Sequence, residues 1–325
     1  MLVIAACGDD DASGSDDDTS AETDGDATSG EGDGDEGEIP DTLVFTLTPS
    51  QETAGLIETA EPLADLLEAE LGILVEALVP SDYTGVIVAL ESGQAHIAGG
   101  LGPLQMVQAH DEADADLIFQ AVRFGSAEYV TQWFTNDPET FCTDEPVADE
   151  DGYLFCNGTD EAEILDGPYG EESLALVEGE TVAFVEQGST SGYAIPLLQL
   201  ANLGIDPVDG ITPLFAGGHP QSVQAVYDGD AAVGVSFNDA RGQIEDVNAD
   251  VGEKVVVFAW SGPIPNDGFA VAGSLPDSLV ADIVAAFETI AASEDGAALL
   301  DELYEIDGLQ AAASSDYDVF RELQS

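Results

Sequence analysis

From residue 42 onward, short β-rich runs alternate with stretches in which apolar residues recur every third or fourth position. Those two periods separate strands from amphipathic helices. Residues 43–47 form the first run, broken by Pro49 and Ser50. Over 52–71, Leu56, Ile57, Ala60, Leu63, Leu66, Leu67 and Leu71 share one helical face, and Gly72 stops the helix. A strand at 73–79 follows, then a helix at 82–92 with Val86, Ile87 and Leu90 inward, ended by Gly93. A strand at 96–99, a helix at 103–111 and strands near 116–123 and 127–135 complete the first block.

Residues 136–170 interrupt this alternation with a polar, acidic stretch broken by Pro138, Pro146, Gly152 and Gly158, which reads as an insertion. The pattern then resumes, with strands at 181–185, 211–215 and 231–236 and helices at 191–203, 221–228 and 239–248. A β-rich return segment at 255–260 precedes helices near 276–292 and 295–305. Two α/β blocks on either side of an insertion predict two lobes, with a small-molecule cleft facing the loops at the strand ends. No internal repeat of solenoid length is visible.

Composition narrows the function. The 325 residues are 44% hydrophobic, enough for real cores, and carry 67 acids against four bases, Arg123, Arg241, Lys254 and Arg321. A formal charge of −63 excludes ordinary nucleic-acid binding and argues against docking on anionic lipid. Residues 9–41 hold 15 of the acids; the remaining 52 against four bases leave −48 on the body. Such a body repels itself at low ionic strength. Salt screens the repulsion, with a Debye length of about 3 Å at 1 M, so a protein adapted to saline surroundings is expected. No apolar run is long enough for a transmembrane helix.

Ile4-Ala5-Ala6-Cys7 resembles a bacterial lipobox without the usual charged n-region, which makes Cys7 the expected lipidation site and 1–7 a signal remnant. Residues 8–41, nearly all Asp, Glu, Gly, Ser and Thr, read as a disordered acidic tether. The other two cysteines, Cys142 and Cys156, lie in the insertion; outside the cytosol their expected state is a disulfide.

Glu186-Gln187-Gly188-Ser189-Thr190-Ser191-Gly192 lies between a strand and a helix, where hydroxyls and free amides form an anion site without any base. An ordinary Ser/Thr helix cap explains the same residues equally well. The segment lacks the lysine of a P-loop and the spacing of a nucleophile elbow. Gly217-Gly218-His219-Pro220 also joins a strand to a helix, and there His219 either donates to an oxyanion or caps its own helix. His96 and His110 read as structural or solvent-facing. Ser81-Asp82-Tyr83, Glu128-Tyr129 and Ser261-Gly262-Pro263-Ile264-Pro265-Asn266-Asp267 add phenols and a carboxylate.

Together these motifs, with Pro49-Ser50, resemble the phosphate/phosphite/phosphonate substrate-binding proteins of ABC importers (PhnD-like) over roughly residues 42–300. The resemblance implies a type II periplasmic-binding-protein fold: 42–131 plus 260–325 as one lobe and 132–259, with the insertion, as the other. It implies that Tyr83 and Tyr129 reach the ligand from the first lobe, that Ser189, Thr190 and Ser191 grip its oxygens, and that His219 and Asp267 contact it. An acid after the strand 231–236 is also implied, for which Asp239 fits best, with Asn238 as its neighbour. Phe124, Trp133 and Phe237 are candidates to line the substituent pocket. The implied partners are a small phosphorus oxyanion and a permease with its ATPase; a monomer without cofactor or metal is expected. A carboxylate accepts only from a protonated ligand oxygen or pairs with a ligand amine, which would discriminate against sulfate. A sensor-associated binding protein and a secreted phosphoesterase are the competing readings; against the enzyme, no metal-ligand cluster or nucleophile–base pair is evident.

Overall fold

The computed structural model describes residues 38–51 and 53–323. The expected lipidation site Cys7 and nearly all of the expected tether lie outside the described residues.

Two mixed sheets organise the chain. The first runs in the order Gly308–Ala311, Ala115–Val122, Gly268–Ala272, Ile97–Leu101, Thr42–Leu47, Leu74–Leu78. Thr42–Leu47 pairs in parallel with both neighbours, and Gly268–Ala272 runs antiparallel to both of its own. Alternate residues Leu43, Phe45 and Leu47 point into one core with Leu56, Leu63 and Leu67 of helix Thr53–Leu71. Phe287 of helix Asp277–Ala292 meets Phe45, Phe119 and Phe269 at ring-centroid distances of 6.1, 6.1 and 5.2 Å.

The second sheet runs Thr212–Phe215, Thr181–Phe184, Val233–Phe237, Thr131–Thr135, Val256–Trp260, Leu154–Phe155, Val147–Ala148. The last two strands come from the insertion, which therefore extends the edge of this sheet. Cys142 and Cys156 form a disulfide with Cα atoms 5.7 Å apart. Arg241, wholly buried, ties the same insertion down. It donates to Leu154 O at 2.9 Å and Val255 O at 2.7 Å, and its Cζ lies 4.8 Å from the Tyr153 ring centre and 4.5 Å from that of Phe155.

A two-stranded ribbon, Glu128–Tyr129 with Ile264–Pro265, lies where the chain passes between the two sheets. This explains one departure from the sequence pattern: the single strand expected at 127–135 is split at Val130 between the ribbon and the second sheet. The helix expected at 239–248 is instead a short 3-10 segment, Ala240–Ile244, which Asp239 opens by accepting the Arg241 N–H at 3.0 Å. Gly268–Ala272 was not expected as a strand, although every residue in it is buried. A run buried on both faces has no alternation to reveal it.

Candidate functional site

The loop after strand Thr181–Phe184 folds as its small residues demand. Ser189 is the cap, its hydroxyl accepting the Gly192 N–H at 3.1 Å. The first turn, Thr190–Ala194, is wide: Ala194 N–H bonds Ser189 O at 3.1 Å, and α-helix Ile195–Asn202 follows. Such widened turns recur at functional sites. Ser189, Thr190 and Ser191 are all buried, because the first sheet's loops close over them.

Three elements make that closure. Asp82 caps helix Tyr83–Glu91 by accepting the Gly85 N–H at 2.8 Å, which sets Tyr83 at the helix start. Tyr83 and Tyr129 line the same cavity as Ser189 and Ser191. Thr190 Oγ1 accepts the Leu104 N–H at 3.1 Å, and the Glu186 carboxylate accepts the Tyr83 N–H at 3.0 Å. Ser50 O accepts the His219 N–H at 3.0 Å. Glycine at 188 is required by this fit, since a Cβ there would lie 2.8 Å from Tyr83 Cβ.

The result is a small cavity bounded by both halves, with Tyr83, Tyr129, Ser189, Thr190, Ser191, His219 and Asp267 all in its wall. Both phenols stay protonated, because burial and the Asp267 charge push their pKa values up. His219 is buried, its Nδ1 2.7 Å from the Ser236 hydroxyl and its ring 4.7 Å from that of Phe237. It does not cap its own helix, His219–Asp228, whose cap is Gly218. Burial, reinforced by Arg123, pulls its pKa down to about 3, so the imidazole is neutral at ordinary pH. Burial pushes the Asp267 carboxyl up to about 6 against the opposing pull of Arg123.

Of the residues expected at the site, Asp239 is not among those lining the cavity. Its carboxylate holds Arg241 instead, at 3.0 Å from Nε to Oδ1 and 2.5 Å from Nη2 to Oδ2. Asn238 accepts the Val130 N–H at 2.9 Å. Of the three aromatics considered for the substituent pocket, only Phe237 lines the cavity. Trp133 is wholly buried and donates to Gln199 at 2.8 Å, whereas Phe124 is 69% exposed.

The residue that sequence reasoning missed is Arg123. It is 8% exposed and lines both this cavity and an adjoining chamber. Its signal was its rarity: in a chain with four bases, one sits where the first sheet hands over to the ribbon. Among the described residues, no group of His, Cys, Asp and Glu is arranged to hold a metal ion.

Residues 45–317 match the model of the family described as ABC transporter, phosphonate, periplasmic substrate-binding protein. The chain belongs to that family. Other members and neighbours of this phosphonate-binding family are similar to it in sequence or shape. The phosphate-import protein PhnD of Mycolicibacterium smegmatis is 28% identical over 209 residues, 61% of this chain. The chain spans 56% of the length of that relative. A binding protein component of an ABC phosphonate transporter from Pseudomonas aeruginosa superposes with a TM-score of 0.70 at 20% identity, covering 87% of this chain and 85% of that one. PhnD1 from Prochlorococcus marinus, solved with methylphosphonate, gives 0.68 at 15% identity, covering 88% and 97%. These likenesses show the fold, that of a type II periplasmic binding protein. The relatives are binding and import proteins, not enzymes. Among the described residues, no helix is long and apolar enough to cross a membrane.

Proposed function

We propose that this family member captures a phosphorus oxyanion (phosphonate, phosphite or phosphate) in the cleft between its two α/β halves and delivers it to an ABC permease driven by a cytoplasmic ATPase. The observation that carries this reading is the convergence of Ser189, Thr190 and Ser191 from one half with Tyr83 and Tyr129 from the other on a single cavity that also holds Arg123. Hydroxyls and helix-start amides grip the ligand oxygens. Neutral His219, with the Ser236 hydroxyl donating to Nδ1, presents its Nε2 proton to the anion. Ionised Asp267 accepts the remaining ligand hydroxyl, which phosphate and phosphonate monoanions retain and sulfate lacks. Closure of the two halves around the guest transmits occupancy to the permease.

The same reading includes a lipid anchor at Cys7, an extracytoplasmic location, a monomeric state and adaptation to salt. The anchor is supported by the lipobox-like segment followed by an acidic stretch, and the salt adaptation by the charge of −63. Calorimetric titration with methylphosphonate, aminoethylphosphonate, phosphite, phosphate and sulfate in molar NaCl tests the ligand class. Saturable one-site binding of at least one phosphorus compound is expected; binding of none overturns the proposal.

A further inference from the structure

Arg123 is held in a way that stability alone does not explain. It opens a tight turn in which Arg123 and Ser126 exchange N–H···O bonds of 2.8 and 2.9 Å, and the two residues between, Phe124 and Gly125, both have positive φ, 50° and 72°. That conformation is unfavourable for a phenylalanine. The turn sets the guanidinium across the cleft, with Cζ 4.8 Å from the centre of the Phe237 ring on the opposite half. Its Nε is buried and has no hydrogen-bond partner among the described residues.

The partner it does have is Glu305, through an ion pair from Nη2. Glu305 breaks three local rules. It follows helix Glu294–Tyr304 at φ 56°, a left-handed position that favours glycine. It places a negative charge at the negative end of the helix dipole. It also adds a carboxylate to a wall already holding Asp267 and Glu302. Departures from local preference gather at functional sites. The other three bases are committed elsewhere: Arg241 to Asp239, Lys254 to Asp250, and Arg321 to Asp111 and Asp318. Arg123 is therefore the one base lining the cleft among the described residues.

We propose that Arg123 is a ligand contact and that Glu305 is its built-in competitor, holding the guanidinium through the ion pair and yielding it, in part, to an anion. The inference rests on the proposed oxyanion function. A planar guanidinium offers a fork of donors to two oxygens at once, so the free Nε and the Nη2 now on Glu305 can both turn to one tetrahedral guest. Glu305 then lowers affinity for every anion.

The test is calorimetry of the whole chain in molar NaCl with phosphate, on the native protein, E305Q, R123Q and R123Q/E305Q. E305Q is expected to bind phosphate about tenfold more tightly, because the guanidinium no longer has a carboxylate to give up before it can turn to the ligand. R123Q is expected to bind it about 100-fold more weakly. In the double variant the gain from E305Q should vanish, which separates competition for the guanidinium from a general change of field. Unchanged or weaker phosphate binding by a folded E305Q overturns the inference while leaving the oxyanion function standing. The same holds if the tenfold gain persists without Arg123. If R123Q does not fold, R123K replaces it, and loss of at least half of the E305Q gain in R123K/E305Q is required. A native protein that binds neither phosphate nor any phosphonate overturns both proposals.

Discussion

Replacing Asp267 by asparagine isolates an electrostatic cost built into the cleft. Burial raises its carboxyl from 3.8 to about 6, with Arg123 only partly opposing. A carboxyl whose folded pKa lies above its unfolded value binds its proton more tightly when folded. Its contribution to stability is therefore full below about pH 4 and is lost as pH rises through about 6. At about 1.36 kcal/mol per pKa unit, ionisation at neutral pH costs the folded state roughly 3 kcal/mol. Asparagine keeps the shape and removes the charge. Burial of His219 works in the opposite sense: its folded value of about 3 lies below the ordinary 6.5, so its contribution is full above that value and fades as pH falls toward 3. That residue is common to both proteins and cancels in their difference. The assay is urea unfolding of ligand-free native protein and D267N in molar NaCl between pH 4 and pH 8. The variant should match the native protein near pH 4 and exceed it by about 3 kcal/mol at pH 7. A difference that does not change with pH, or a variant less stable at pH 7, refutes the reasoning.

Other outcomes follow from the same geometry. G188A places a methyl against Tyr83 across the cleft, so the two halves cannot meet as they do here and phosphate affinity should fall about tenfold by calorimetry. Removing the Cys142–Cys156 disulfide as C142S/C156S opens a 14-residue separation and should cost about 3 kcal/mol in urea unfolding, without changing the ligand preference. The melting temperature should climb steadily from low to molar NaCl, since screening relieves the repulsion of a chain at −63; a flat profile contradicts salt adaptation.

Much of this architecture was legible because its elements carry strong periods. Helix Pro103–Asp111 has the bounds its pattern predicts, and helix Thr53–Leu71 falls within one residue of them. Failures came where context outweighed pattern. Gly268–Ala272 is buried on both faces, and the 128–135 segment changes sheets part-way. Within the cleft, the serine–threonine turn and the phenols were readable because short motifs carry them. Arg123 was not, because its importance comes from tertiary placement: a strained turn aims it and Glu305 holds it from the far end of the chain. Asp239 shows the converse, since its nearness in sequence to a cleft strand concealed its commitment to a buried arginine two residues on.

A crystal structure of the protein grown with methylphosphonate tests the account most directly. The phosphorus should sit in the cavity between Tyr83 and Ser191, with its oxygens within hydrogen-bonding distance of the Ser189, Thr190 and Ser191 turn, His219 and Arg123, and with one oxygen facing Asp267. A ligand bound elsewhere, or bound there without contact to that turn, contradicts it.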